Sequence, residues 1–250
     1  RNGAMLEKSR QLMELEPING STKWTQVIRA PEKTLNHDQD INPPVLNHGT
    51  VLYQDADDVY SINGQTGTIN WKFGCSNRDS QPVSYDAVIV ARCDESLVGL
   101  QASDSKKLWS YSAPKEGAIS AKAVSQSSSY ETQISMWGKS PIFMANGKVV
   151  SMLFGSDRGS RMYIIDVDTG NLIREAESRP YAVDGNFLYS VKTSGMLDES
   201  DLTTAANKWT HGVKMEISIP AEKGVCYLTD SSGLHMINVE TGGEIRMISG

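Results

Sequence analysis

The sequence predicts an all-β chain, a β-propeller of four-stranded antiparallel blades, and three observations carry that reading. A phrase recurs about six times, clearest as Ile62-Asn-Gly-Gln-Thr-Gly67-Thr-Ile-Asn-Trp71 and Ile165-Asp-Val-Asp-Thr-Gly170-Asn-Leu-Ile-Arg174. An independent register runs through Pro44, Pro82, Pro141, Pro180 and Pro220, each ahead of a short stretch that ends in a turn signal. Between the two registers lie β-rich runs bounded by Asp, Ser or Gly, as strands are. Four short strands at intervals of about 38 to 40 residues describe a propeller blade. A β-sandwich also offers short strands and frequent turns, but it does not explain a phrase repeated in register.

Taken in order, the first unit enters at its third strand. Residues 6–28 hold Leu15 nine positions before Trp24 and read as a partial blade. Met5 to Leu15 is the one stretch with weak helical periodicity. Five complete blades follow, at about 43–75, 81–113, 140–178, 179–213 and 214–250. Their first strands are led by proline, which cannot donate to a ladder and suits the first residue of a strand or an edge position. Turn signals then come at Asn47-His-Gly49, Asp86, Asn146-Gly147, Asp184-Gly185 and Lys223-Gly224. Such pairs fit tight hairpins with positive φ.

The central strands are Thr50-Val-Leu-Tyr53, Ala87-Val-Ile-Val90, Lys148 to Phe154, Asn186 to Val191 and Gly224 to Leu228. Third strands carry Ile62, Leu100, Ile165 and Ile237, with Ser200 as the degenerate member, and fourth strands carry Trp71, Trp109, Arg174, Trp209 and Arg246. The whole is one propeller domain over residues 1–250, rising to six to eight blades if residues upstream complete it. The missing half blade would come from such residues, from a partner, or not at all. An open ring would expose an edge for strand addition.

Two insertions break the rhythm, residues 29–42 and 114–139. Trp24 stands 20 residues before Pro44 and Trp109 stands 32 before Pro141, whereas the other gaps run from 6 to 11. Long loops on a rigid scaffold often carry binding, while a serine-rich loop can simply be mobile. Tyr130 and Trp137 in the second insertion are the candidate interaction residues.

The 250 residues are enough for a substantial core. A net charge of -6 gives no broad attraction for nucleic acid or an anionic membrane. No apolar run approaches the roughly 18 residues of a membrane span. Arg1-Asn-Gly-Ala-Met5 is neither a signal peptide nor an obvious initiator, so the sequence reads as an excised or processed piece. Cys75, Cys93 and Cys226 allow one internal bond at most, and Cys75 with Cys93, in consecutive repeats, is the best placed. Free buried thiols are the more ordinary state. Asn19-Gly20-Ser21 is a glycosylation sequon if the chain is secreted.

The wording of the repeat, an apolar strand, then Asp-x-x-Thr-Gly, then a strand ending in Trp, resembles the pyrroloquinoline-quinone-like (quinoprotein) propeller repeat. The resemblance runs from about Leu15 to the C-terminus and is best at Asp55 to Phe73, Met162 to Arg174 and Leu234 to Arg246. It implies that Trp24, Trp71, Trp109 and Trp209 seal neighbouring blades, with Arg174 and Arg246 as departures that weaken the seal. Quinoprotein dehydrogenases of this family are about twice as long, carry adjacent cysteines over the quinone and bind calcium through Glu, Asn and Asp. None of those features is matched here. The resemblance therefore implies the non-enzymatic branch: periplasmic assembly scaffolds of the outer-membrane type, or extracytoplasmic or lumenal sensor domains of receptor kinases.

The residues themselves agree. His37, His48, His211 and His235 lack the short spacings of a zinc pair. Asp55-Ala-Asp-Asp58 lacks the glycine and the terminal glutamate of a calcium loop and reads as a solvated hairpin turn. Asp166, Asp168 and Glu240 invite assignment as paired carboxylates, yet they sit in the repeating turn, which gives them a structural role. No GxSxG, GxxxxGK[ST] or GxGxxG occurs. Catalytic, metal and cofactor residues are thus assigned to none.

The expected function is a non-catalytic scaffold that binds a protein or peptide through loops, faces or an open blade edge. The compartment inherited from the resemblance is extracytoplasmic: periplasm, cell surface or secretory lumen. A dimerising sensor ectodomain, forming a homodimer through that edge, is the alternative. A quinone- or metal-dependent enzyme is the second.

Overall fold

The computed structural model describes residues 10–29, 43–55, 57–76, 80–114, 141–155, 159–192, 196–212, 217–222, 224–230 and 232–249. Every regular element among them is a strand. The chain opens with a two-stranded hairpin, β1 (Arg10–Leu15) and β2 (Thr22–Arg29). The first four-stranded sheet is β3 (Val45–Asn47), β4 (Thr50–Gln54), β5 (Asp58–Asn63) and β6 (Ile69–Gly74). The second is β7 (Val83–Tyr85), β8 (Val88–Cys93), β9 (Ser96–Gln101) and β10 (Lys107–Ser112). The third is β11 (Ile142–Ala145), β12 (Lys148–Gly155), β13 (Gly159–Asp166) and β14 (Leu172–Ala176). The fourth is β15 (Ser178–Asp184), β16 (Phe187–Lys192), β17 (Met196–Asp201) and β18 (Asn207–Gly212). The fifth is β19 (Ile217–Glu222), β20 (Val225–Asp230), β21 (Gly233–Asn238) and β22 (Glu244–Ser249). Each sheet is an antiparallel meander in sequence order, and the leading strands β7, β11, β15 and β19 approach one another in succession. This is a propeller of five full blades and a partial one.

Two local expectations are corrected. The weak helical period from Met5 to Leu15 is not realised where it is described, because Arg10–Leu15 pairs with β2 and turns Leu12 onto the first blade. Pairing by alternate residues overrides a marginal 3.6 pattern. Pro44, Pro82 and Pro141 stand just ahead of their strands, but Pro180 and Pro220 lie inside β15 and β19. The ladder shifts register between Pro180 and Ala182 and between Ile219 and Glu222. A residue without an N–H leaves a gap that a bulge absorbs.

The core lies between the sheets. Along β8, Ile89 and Ala91 pack toward the first blade, whereas Val88 and Val90 pack toward the third. In β12, Val149 turns to the second blade and Val150 to the fourth. A strand flanked by sheets on both faces must be apolar at odd and even positions alike, which is why these runs are continuous rather than alternating.

Antiparallel alternation sorts the connections onto two faces. The turns β3–β4 and β5–β6 share one face, where Gly64 N donates to Gly49 O at 2.8 Å. The hairpin β4–β5 and the exit from β6 share the other, where Cys75 N donates to Asp57 O at 2.7 Å. On this second face a Cys75–Cys93 disulfide ties the end of the first blade to the β8–β9 hairpin of the second, with Cα atoms 4.8 Å apart. The free-thiol reading of these two residues is thereby corrected; Cys226 remains a buried thiol. Both insertions connect a fourth strand to the next first strand, so their anchoring residues lie on the disulfide face. Among the described residues no helix is long and apolar enough to cross a membrane.

Candidate interaction surface

The joints between blades come first, because they consume most of the repeated residues. In all six third–fourth strand pairs the ladder skips one residue just before the Trp or Arg. For example, Ile62 faces Ile69 while Ser61 faces Trp71. A bulge placed there re-aims the next side chain, sending the indole out of its own sheet and onto the following blade.

The landing is the same each time. Trp24 Nε1 donates to Gly64 O at 2.9 Å, Trp71 to Ala102 O at 2.8 Å, Trp109 to Val167 O at 2.7 Å and Trp209 to Val239 O at 2.8 Å. At three of the four, the ring lies on a turn glycine with positive φ. At Gly170 (φ 71) a Cβ would stand 2.6 Å from Trp109 Cγ, and the turns at Gly67 and Gly242 are equally close beneath Trp24 and Trp209. Glycine there serves both the left-handed backbone and the approach of the ring.

Arg174 is a substitute seal rather than a weak one. Its Nε donates to Leu202 O at 3.2 Å, and Nη2 donates to Asp201 O at 3.2 Å and to Ser200 Oγ at 3.4 Å. Partial burial pulls its pKa below the ordinary arginine value, with the Asp201 carboxylate opposing the shift. Arg246 stands apart: it is exposed, on a strand whose six residues are all exposed.

The turn carboxylates are consumed locally. Asp166 Oδ1 accepts from Thr169 N at 2.9 Å and from Thr169 Oγ1 at 2.7 Å, bonds that hold its pKa below the usual value. Asp201 does the same with Thr203 and Thr204. Asn63 and Asn238 cap the equivalent turns. Asp168 and Glu240 are exposed beside them. In the β4–β5 hairpin, Asp55 Oδ1 accepts from Asp57 N and Asp58 N, both at 2.9 Å, so it is a turn residue; at 2% exposure it is buried, not solvated.

Buried polar side chains tie blade to blade on the second strands. Gln54 Nε2 donates to Arg92 O at 2.8 Å, and Arg92 Nη2 donates to Ser151 Oγ at 2.5 Å and to Met152 O. The links run from the first blade to the third. In the fourth, the buried Glu199 carboxylate lies 3.0 Å from Lys208 Nζ. Burial, helped by Glu199, pushes the Cys226 thiol up to about 11, which leaves it an inert core residue.

The described histidines do not converge on a metal. His48 Nδ1 lies 2.7 Å from Asn47 Oδ1 and His211 Nδ1 lies 3.1 Å from Gly242 O. Among the described residues no group of three His, Cys, Asp or Glu side chains could hold an ion. His235 is the exception in polarity: Nδ1 is 2.8 Å from Glu244 Oε2, and Nε2 is 3.0 Å from both Asp230 Oδ1 and Ser232 Oγ. Ser232, His235 and Glu244 thus have the distances of a hydrolytic triad. The chemistry differs, because Nε2 also faces a carboxylate. Ser232 Oγ donates to Asp230 Oδ1 at 2.5 Å, and the hydrogen bonds to Glu244 first and Asp230 second raise the imidazole pKa. The cluster is a clamp across β20, β21 and β22.

Tyr130 and Trp137 fall in residues 115–140 and lie outside the described residues, as does His37. The described surface adds what the sequence did not single out. Met13, Leu15 and Val27 on the β1–β2 hairpin are about half exposed and Ile18 is 93% exposed, while Ile245, Met247 and Ile248 are exposed on β22. Asn19 of the sequon sits in the same hairpin turn, where Oδ1 accepts from Ser21 N at 2.9 Å.

Comparison with known proteins yields a family model and a set of structures. The model described as outer membrane protein assembly factor BamB matches residues 8–246. No curated protein matches the chain. The crystal structure of BamB from Moraxella catarrhalis is similar with a TM-score of 0.66 at 12% identity, over 97% of this chain and 71% of that one. A europium-containing methanol dehydrogenase gives 0.59 at 12% identity, over 82% of this chain and 50% of its own. Quinohemoprotein alcohol dehydrogenase from Comamonas testosteroni gives 0.55 at 14%, over 82% and 42%. At such identities the structural likeness is one of fold, and the chain spans half or less of the dehydrogenases.

Proposed function

This chain belongs to the outer membrane protein assembly factor BamB family of quinoprotein-like repeats, and from that premise we infer that it is a non-catalytic scaffold which docks a protein or peptide. The observation that carries the reading is where the polar residues of the repeat go. Asp166, Asp201, Asn63 and Asn238 cap turns, Arg174 and the tryptophans seal joints, and Arg92 and Gln54 tie blades together. That inventory makes a rigid body, and it leaves loops, faces and blade edges as the working surface. The likeness to dehydrogenases is compatible with this, because fold alone does not carry chemistry.

The compartment is extracytoplasmic in the same proposal. The Cys75–Cys93 disulfide supports it, since such bonds persist in oxidising surroundings. The insertion residues Tyr130 and Trp137 are the proposed partner contacts.

Crosslinking of the purified chain in an envelope extract, with contacts mapped by mass spectrometry, tests the proposal. Partner crosslinks should concentrate on segments 29–42 and 114–139 and on the exposed hairpin, and they should diminish for the Tyr130→Ala, Trp137→Ala variant while its melting curve is unchanged. Stoichiometric uptake of pyrroloquinoline quinone with calcium, followed by alcohol-dependent dye reduction, would overturn the scaffold reading in favour of an enzyme.

A further inference from the structure

The dipeptide Asn-Gly occurs at Asn19-Gly20, Asn63-Gly64 and Asn146-Gly147. It is the pairing most open to loss of ammonia, because glycine leaves the backbone nitrogen after the asparagine unhindered for attack on the side-chain amide carbon. The fold treats the three differently. Gly64 N donates to Gly49 O at 2.8 Å, while Asn63 Oδ1 accepts from Gln65 N at 2.9 Å and Thr66 N at 3.0 Å. Gly20 N donates to Glu16 O at 2.8 Å, while Asn19 Oδ1 accepts from Ser21 N at 2.9 Å. In both pairs the attacking nitrogen is engaged and the side-chain amide is held.

Asn146-Gly147 occupies the opposite end of the same wiring. In every full blade the first residue after the third strand donates its N–H to the turn between the first and second strands. The bonds run from Gly64 N to Gly49 O, Ala102 N to Ala87 O, Val167 N to Gly147 O, Leu202 N to Asn186 O and Val239 N to Gly224 O. Gly64 is thus a donor in this tie, whereas Gly147 enters it through its carbonyl, at 2.9 Å from Val167 N. The Gly147 nitrogen is the second residue of a two-residue hairpin between the paired Ala145 and Lys148, a place where the ladder requires no N–H. Among the described residues it meets no acceptor.

The rest of the turn suits the reaction. Asn146 is exposed with φ 47, and its side chain reaches to the next blade, where Nδ2 donates to Asn186 Oδ1 at 2.8 Å. Its Oδ1 is therefore not tied to turn amides as that of Asn63 is. Lys148 Nζ donates to Asn146 O at 3.2 Å, which draws charge from the Asn146–Gly147 peptide and makes the Gly147 N–H more acidic.

We propose that Asn146 is a self-modification site, where the folded chain deamidates through a cyclic imide formed with Gly147, water being the only co-reactant. The Gly147 nitrogen bonds to Asn146 Cγ, the Cγ–Nδ2 bond breaks, and ammonia leaves with the Gly147 amide proton. Water then opens the imide at either carbonyl and yields aspartate or isoaspartate, with no change of oxidation state. Isoaspartate puts an extra carbon into the main chain of a two-residue turn. That lengthening draws the Gly147 carbonyl away from Val167 N, and Val167 O is the acceptor that Trp109 Nε1 holds at 2.7 Å. The modification thereby loosens the joint between the second and third blades from its turn face. None of this depends on the scaffold reading.

The test is ageing of the full chain at mildly alkaline pH, with peptide mapping by mass spectrometry and enzymatic methylation of isoaspartate over time. Asn146 should convert about tenfold or more faster than Asn63 and Asn19, a difference of about 1.4 kcal/mol, the worth of roughly one net hydrogen bond. In urea-unfolded chain the three should convert at similar rates. Aged wild type should lose amide-exchange protection at Val167, while Asn146→Gln, which closes the larger ring far more slowly, should keep it. Conversion of Asn63 or Asn19 as fast as Asn146 in the folded chain would overturn the proposal. So would an unmodified Asn146 when the unfolded chain reacts, or isoaspartate at 146 with protection at Val167 intact.

Discussion

Replacing Trp109 with alanine should detach the second blade from the third at a cost that the structure allows to be worked out. The indole is 8% exposed, lies on Gly170 and donates to Val167 O at 2.7 Å. Truncating a buried Trp to Ala costs about 3–5 kcal/mol, and stranding the Val167 carbonyl, at about 1–3 kcal/mol, puts this site toward the upper half of that range. Trp109→Phe keeps most of the ring and loses the hydrogen bond, so about 1–2 kcal/mol is expected. With a urea slope of about 3 kcal/mol/M for a chain of this size, the midpoint should fall by about 1.3 M for Ala and about 0.5 M for Phe. Because repeats couple mainly to their neighbours, amide hydrogen exchange is the companion assay: protection should fall in β8, β9, β12 and β13 and persist in β19 to β22. A midpoint shift below about 0.3 M for Ala, or protection lost evenly across all five blades, would refute the joint as the unit of cohesion.

Three further outcomes are expected. Removing the disulfide as Cys75→Ala, Cys93→Ala opens a loop of sequence separation 18 and should cost about 3 kcal/mol in the chain-entropy account, read as a urea midpoint that matches the reduced wild type. The His235 clamp should make stability depend on pH with a definite sign. Its pKa is raised above the unfolded value near 6.5, so its contribution is complete below that pH and is lost as pH rises through the folded pKa; the melting-temperature gap between wild type and His235→Gln should narrow from pH 6 to 9, and a widening gap would contradict the geometry. At the polar joint, Arg174→Trp and Ser200→Leu should each destabilise alone by about 1–3 kcal/mol, while the double variant recovers most of the loss, a coupling measurable by a double-mutant cycle in urea. Additive losses would show that the arriving and receiving residues are independent.

The blade was legible because its parts are local. Three of the six phrases, at Asn63, Asp166 and Asn238, place the Asp or Asn three residues before a Thr and four before a Gly, and that spacing closes a turn by its own side-chain bonds, as Asp166 does with Thr169. The apolar runs Ala87-Val-Ile-Val90 and Lys148 to Phe154 were readable as strands for a similar reason: covered on both faces, they are continuous. Other features were not legible. The bulge before every Trp and Arg has no residue type of its own, being Lys23, Asn70, Leu108, Ile173, Lys208 or Ile245. Ser200 reads as a degenerate repeat position until the guanidinium of Arg174, 26 residues earlier, is seen to land on it. His235 gave no motif, since its partners Asp230, Ser232 and Glu244 meet only across three strands.

The sequence by itself determined the all-β class, the four-stranded repeat, the turn residues and the tryptophans that join the blades, because each follows from backbone preference and period over a few residues. Only the tertiary structure decided that Cys75 meets Cys93 and that Arg174 seals its joint through the Leu202 carbonyl. Those are contacts between blades, and a blade carries in its own sequence the shape of a joint but not the identity of what is laid against it.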